Sequence, residues 1–149
     1  MKNDLIYLLL ALITGALIPV QAATNVAFSK SIGNPFITCL MVFIVGLIGM
    51  ILFTILSKTS LPSPAQLTAA PLYGYLGGII VAIYVVMITM LVPRIGVATA
   101  IAFIVTGQIF CAVAIDHFGL FNVHVRHIDM TRIAGMLLMV GGIYLVMKK

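Results

Sequence analysis

Polar side chains spaced to form a site are few in this chain, and the densest group lies along one helical face. At about 100° per residue, Gln21 and Asn25 each fall within about 20° of Thr14. A carboxamide offers donors and acceptors together, so such a stripe can line a cavity and coordinate a solute. It can equally hold a neighbouring helix by interhelical hydrogen bonds. Pro19, within the stripe, has no backbone N–H and frees the carbonyl of Gly15. A second polar group is Thr106-Gly107-Gln108, where Gln108 is the deepest amide in the chain and Gly107 leaves room for another backbone. Thr14, Gln21, Asn25, Thr106 and Gln108 are the candidate substrate path; a helix–helix clasp is the competing role for the amides.

Ionisable groups are placed differently. The acids are Asp4, Asp116 and Asp129, all near the ends of apolar runs, and no Asp, Glu, Lys, Arg or His stands at the middle of one. A carboxylate in the path of a proton-coupled exchanger would do so. Asp116 is the best remaining candidate for an interfacial coupling residue, against the simpler role of pairing with a nearby arginine. His124 and His127 lie three apart, with His117 and Asp129 nearby. Metal ligation can use such spacing, but histidines in an amphipathic connection are commoner, and no metal site is expected. There is no nucleophile–base arrangement, phosphate-cradling glycine loop or paired carboxylate, so neither an enzyme nor a cofactor is expected. Cys39 and Cys111 sit inside apolar runs and read as buried small hydrophobes, without a disulfide framework.

The elements that must position these groups follow from composition. Of 149 residues, 63% are hydrophobic and 7% charged, and mean hydropathy is +1.28. A soluble domain carries roughly 25% charged residues, and a chain this size has too little interior to hide so much apolar surface. A soluble enzyme is excluded. So is a nucleic-acid binder, because the net charge of +5 is spread thinly among long apolar runs. Basic residues there belong to the lipid headgroup region.

A hydrocarbon layer about 30 Å thick needs roughly 20 helical residues. Five stretches meet this need, at approximately 5–28, 36–56, 72–92, 97–115 and 130–147. The apolar part of the fifth, from Ile133, is short by itself. It reaches across if Arg132 and Lys148 snorkel to the headgroups or its first turn extends upstream. Breaks are expected at Gly33-Asn34-Pro35, at an extended Leu61-Pro62-Ser63-Pro64, at Pro93-Arg94-Ile95-Gly96, and at Asp116-His117-Phe118-Gly119. Gly119 is expected to be the left-handed terminator, and 120–131 to lie along the interface. Lys2, an apolar run and Val20-Gln21-Ala22 resemble a signal peptide and its cleavage site; Asp4 and the length of the run argue against cleavage. The fold class is therefore an all-α integral membrane protein, with one transmembrane domain over 1–149 built as a bundle of five helices. Small residues at helical spacing, Gly74 with Gly78 and Gly135 with Gly142, suit helix packing.

Five crossings put the termini on opposite faces of the membrane. One face holds Lys2, Lys58, Arg126 and Arg132; the other holds Lys30, Arg94, Lys148 and Lys149. The positive-inside rule needs an excess on one side, and there is none. Either another cue fixes the orientation, or the chain inserts both ways. The second gives an antiparallel homodimer of ten helices about an axis in the membrane plane, a symmetry common in transporters. A paralogous five-helix partner of opposite charge bias is the variant.

Gly15-Ala16-Leu17-Ile18-Pro19-Val20-Gln21 with Asn25, then Tyr75-Leu76-Gly77-Gly78, Pro93-Arg94-Ile95-Gly96, Thr106-Gly107-Gln108 and Asp116-His117-Phe118-Gly119-Leu120, resemble the YdcZ-type proteins. These are a small-protein branch of the drug/metabolite transporter (DMT) superfamily. The resemblance implies a five-helix bacterial inner-membrane protein, in a family of dual-topology singles, opposed pairs and fused tandem copies. Members are often rich in tryptophan around the third helix; this chain has none, with Tyr73 and Tyr75 there, so ligand contacts are not carried over. The expected function is a small transporter that moves a solute by alternating access as an antiparallel dimer. Its substrate would be a neutral or weakly polar metabolite, or a cation held by aromatic and amide groups. The alternatives are a non-transporting membrane subunit that stabilises a partner, and multidrug efflux of the small multidrug resistance type. The lack of a first-helix carboxylate argues against the latter. Expected partners are the lipid bilayer, a second copy and a small-molecule substrate, not nucleic acid.

Overall fold

The structure is a computed structural model that describes residues 2–148, with side chains from Leu5 onward. The side chains of Lys2 and Asp4, and Lys149, which enter the charge and signal-peptide arguments, lie outside the described residues. The described chain runs α1 (Lys2–Ile32), α2 (Pro35–Leu56), a short α3 (Pro64–Ala69), a 3₁₀ turn (Leu72–Tyr75) leading into α4 (Leu76–Ile95), α5 (Val97–Phe118), a second 3₁₀ turn (Leu120–Asn122) and α6 (Met130–Met147). Five of these segments are long and apolar enough to cross a membrane: Leu5–Ile32, Pro35–Leu56, Leu72–Ile95, Val97–Phe118 and Met130–Met147. Their outward surfaces are dominated by side chains such as Leu12, Leu17, Val45, Leu47, Phe53 and Leu138. Water does not tolerate so large an apolar surface, whereas lipid does.

Several boundaries differ from those expected. α1 passes through Pro19 and stays helical to Ile32, beyond the expected end near residue 28. Its polar last turns bond inward, with the Thr24 hydroxyl donating to the Gln21 carbonyl at 2.9 Å and Ser31 to that of Ala27 at 3.4 Å. It stops where Gly33 takes φ +78°. Asn34 then caps α2, its side-chain oxygen accepting from the backbone of Phe36 at 2.9 Å and Ile37 at 3.2 Å, with Pro35 opening the helix. The connection after α2 is not wholly extended. Ser63 and Gln66 form a reciprocal capping box, at 2.8 and 3.3 Å, that starts α3. The break between α4 and α5 is one residue long, because Pro93, Arg94 and Ile95 remain helical and only Gly96, at φ +83°, leaves the helix. A proline removes only one backbone donor, whereas the positive φ at Gly96 lies outside the helical region and favours glycine. The expected ridge of Gly74 and Gly78 is also divided, since Gly74 stands in the 3₁₀ turn and Gly78 in α4.

The chain divides after Pro93 into two compact units. In the first, α1 packs along α2. Its buried residues are Ala22, Asn25 and Val26 of α1, Thr38 and Cys39 of α2, and Val85, Ile88, Thr89 and Val92 of α4. On α4 these recur at three- and four-residue intervals, which places them on one face. The Cys39 thiol donates to the Thr89 hydroxyl oxygen at 3.8 Å and links α2 to α4.

In the second unit, α5 packs along α6. Gly119 ends α5 in the left-handed conformation, φ 60° and ψ 32°, as its sequence position implied. A Cβ there would lie 2.6 Å from Val125 Cγ2, so a side chain is excluded twice over. The connection then returns along the end of α5: the Arg126 N–H donates to the Asp116 carbonyl at 2.9 Å. Asp129 caps α6, accepting from the Arg132 N–H and the Thr131 hydroxyl, both at 2.8 Å.

Candidate functional site

The first unit gathers two of the three residues of the α1 stripe. Gln21 lines a hollow of about 400 Å³ with Val42, Phe43, Gly46 and Leu47 of α2 and Val81 and Val85 of α4. Asn25, one turn further on, lines a second hollow of about 300 Å³ with Thr24, Phe28, Met41, Val42 and Val45. Val42 is common to both, so the two amides stand at successive levels of one seam along α1 and α2. Thr14 lines neither hollow. It is exposed, and its hydroxyl is satisfied within α1 by the Leu10 carbonyl at 2.8 Å.

The second unit holds the other candidates. Thr106 is half-buried, donates to the Ala102 carbonyl at 2.9 Å, and lines a hollow with Ala98, Ala102, Met139 and Gly142. Gln108 is exposed and does not line it. Residues two apart on a helix point to nearly opposite sides, which separates two groups that looked adjacent in the sequence. Gly74, Gly78, Gly135 and Gly142 each have open space where a Cβ would stand, so none marks a close approach within its own unit. Cys39 is buried as expected, but Cys111 is exposed, because it falls on the outward side of α5.

Asp116 pairs with Arg132 at 3.5 Å, and Arg132 also donates to the Arg126 carbonyl at 3.4 Å. His117 Nδ1 accepts from the Ile128 N–H at 3.2 Å, and its ring meets that of His127 edge to face at 5.5 Å. His124 is exposed. Among the described residues no cluster of three or more His, Cys, Asp or Glu could hold a metal. The Arg132 N–H and Thr131 hydroxyl hold the Asp129 carboxyl below the usual carboxylate range.

Hydrogen-bond satisfaction separates structural polar groups from unexplained ones. In the first unit, Thr38 donates to the Asn34 carbonyl at 2.9 Å, Thr89 to that of Val85 at 2.7 Å, and Cys39 to Thr89. Asn25 is 4% exposed, and its Nδ2 has no partner. Tyr84 Oη, on α4, is the other such buried atom among the described residues. An unmet buried donor costs about 1–3 kcal/mol, and most native groups are paired. Tyr84 escaped sequence reasoning because an aromatic residue inside an apolar run counts as apolar; its hydroxyl was the available signal.

A protein-family model described as "Putative inner membrane exporter, YdcZ" matches residues 6–145, nearly the whole chain. No curated protein and no solved structure matches.

Proposed function

The chain belongs to the YdcZ family of inner-membrane proteins, and from that premise we propose that it exports a small uncharged or weakly polar solute by alternating access. The working unit in this proposal is an antiparallel pair of chains in the bacterial inner membrane. The single observation that carries it is the seam in the first unit, where Gln21 and Asn25 line adjoining hollows that share Val42. Polar groups in a bilayer are costly unless paired or facing a cavity, and these two face one. No ionisable side chain lines either hollow, so a strongly charged solute would meet no counter-charge there.

The pairing of opposed copies rests on the even division of basic residues. Lys30 and Arg94 stand in the last turns of α1 and α4, and Lys148 caps the end of α6. Lys58 follows α2, Arg126 lies in the α5–α6 connection and Arg132 in the first turn of α6. Each described basic residue is thus at a helix end or in a link, where it can bias insertion. A second function, a membrane subunit that stabilises a partner, draws on the open glycine positions of α6 at Gly135 and Gly142.

Solute flux in proteoliposomes containing only this chain distinguishes the two. Export predicts efflux of at least one member of a panel of uncharged metabolites, slowed about tenfold by Gln21→Leu through the loss of one hydrogen bond. No flux across the panel would favour the subunit.

A further inference from the structure

We infer that the hollow beside Asn25 is a recognition subsite for an uncharged solute that presents a hydrogen-bond-accepting oxygen, a ketone, ester or ether, on a compact apolar body. This rests on the export function proposed above and names its substrate class.

The hydrogen-bond census of the first unit points to a ligand. Its buried Thr38, Cys39 and Thr89 all have partners, so this core satisfies polar atoms where they serve packing. Asn25 Nδ2 does not have one, although Asn25 is 96% buried. A clasp between helices would put an acceptor opposite the amide. The residues of α2 that share its hollow are Met41, Val42 and Val45, whose side chains offer no oxygen. From α1, the Thr24 hydroxyl is already directed to the Gln21 carbonyl at 2.9 Å.

The chemistry of the orphan group sets the chemistry of the solute. A carboxamide nitrogen only donates, so the missing partner is an acceptor. The other buried atom without a partner, Tyr84 Oη, belongs to the same unit, and a hydroxyl can donate or accept. A cation would repel an N–H dipole. A carboxylate would lose its hydration with no positive charge in return. An uncharged oxygen acceptor escapes both costs, and Phe28, Met41 and the two valines supply an apolar bed for the rest of the molecule. Nδ2 itself is buried and does not open on the hollow in this structure; in this proposal the acceptor reaches it when α1 and α2 part along the seam.

The test uses the full chain in lipid nanodiscs and two fluorinated probes of nearly the same shape. Para-fluoroacetophenone has a ketone oxygen, and para-fluorocumene has a methyl group in its place. Fluorine line broadening, corrected with empty nanodiscs, gives the affinity of each. The expected result is that the ketone binds about tenfold more tightly than the hydrocarbon, one hydrogen bond to a buried donor. In Asn25→Leu the ketone loses this advantage, the hydrocarbon binds unchanged, and the protein melts no lower than the parent because no native bond is lost. Equal binding of the two probes by the parent chain would overturn the proposal without recourse to any variant. So would an undiminished ketone preference in Asn25→Leu. A lower melting temperature or loss of dimer in that variant would overturn it in favour of a structural clasp, within the chain or to a second copy. Ketone preference without solute flux would refute export alone; flux without ketone preference would refute this subsite alone.

Discussion

Gly119 shows how one residue type can be required on two independent grounds. Its φ of 60° disfavours any side chain, and Val125 Cγ2 stands 2.6 Å from where a Cβ would be. Gly119→Ala is therefore expected to destabilise the protein by about 1–3 kcal/mol, read as a lower melting temperature in detergent. Val125→Ala should restore part of the loss, the part due to the clash. At Asp129 the consequence is a pH dependence. Its carboxyl is held below the usual range by the Arg132 N–H and the Thr131 hydroxyl. Its stabilisation is thus fully present above the ordinary carboxylate pKa, about 4, and disappears as pH falls through the lowered value. Melting measured from about pH 7 down to about pH 2 should show an acid limb that Asp129→Ala removes. At this scale the sequence disclosed the amides Gln21 and Asn25, because polar atoms in a long apolar run stand out. It concealed Tyr84 and the Cys39–Thr89 contact, since Tyr84 and Cys39 count as apolar by type and are polar only through one atom.

Helices were easier to find than their ends. Hydropathy counts residues and does not see caps, so it located all five spans yet ended the third before Pro93. The chain continues to Ile95 because losing one backbone bond is tolerated, and it leaves the helix only at Gly96. The capping box of Ser63 and Gln66 was written in the sequence as Ser-x-x-Gln, but two neighbouring prolines suggested extended chain. The α5–α6 connection was opaque for a different reason. Its shape depends on ties between residues far apart in sequence, from Ile128 to His117 and from Arg126 to Asp116. Removing one end of such a tie should loosen the connection and leave the helices intact. His117→Ala is expected to speed amide exchange at Ile128 severalfold, measured by hydrogen–deuterium exchange, with little change in the middle of α5 or α6.

At the scale of the molecule, helices and lipid account for the fold, and family membership for the inner membrane and the description as an exporter. In the proposed topology the eight basic residues divide evenly between the two water-facing sides, and the direction of insertion rests on that division. An even division is a sensitive one: a single added charge should tip it. Thr59→Lys, on the side of Lys58, and Ser31→Arg, on the side of Lys30, are expected to bias the population in opposite directions, as seen by the ratio of two topology reporters. The most direct measurement is made on the parent chain. A reporter active only in the cytoplasm and another active only outside are fused in turn to its C-terminal end. Opposed copies require both fusions to be active in the same cells. Activity of one reporter alone would contradict dual insertion and, with it, the antiparallel pair.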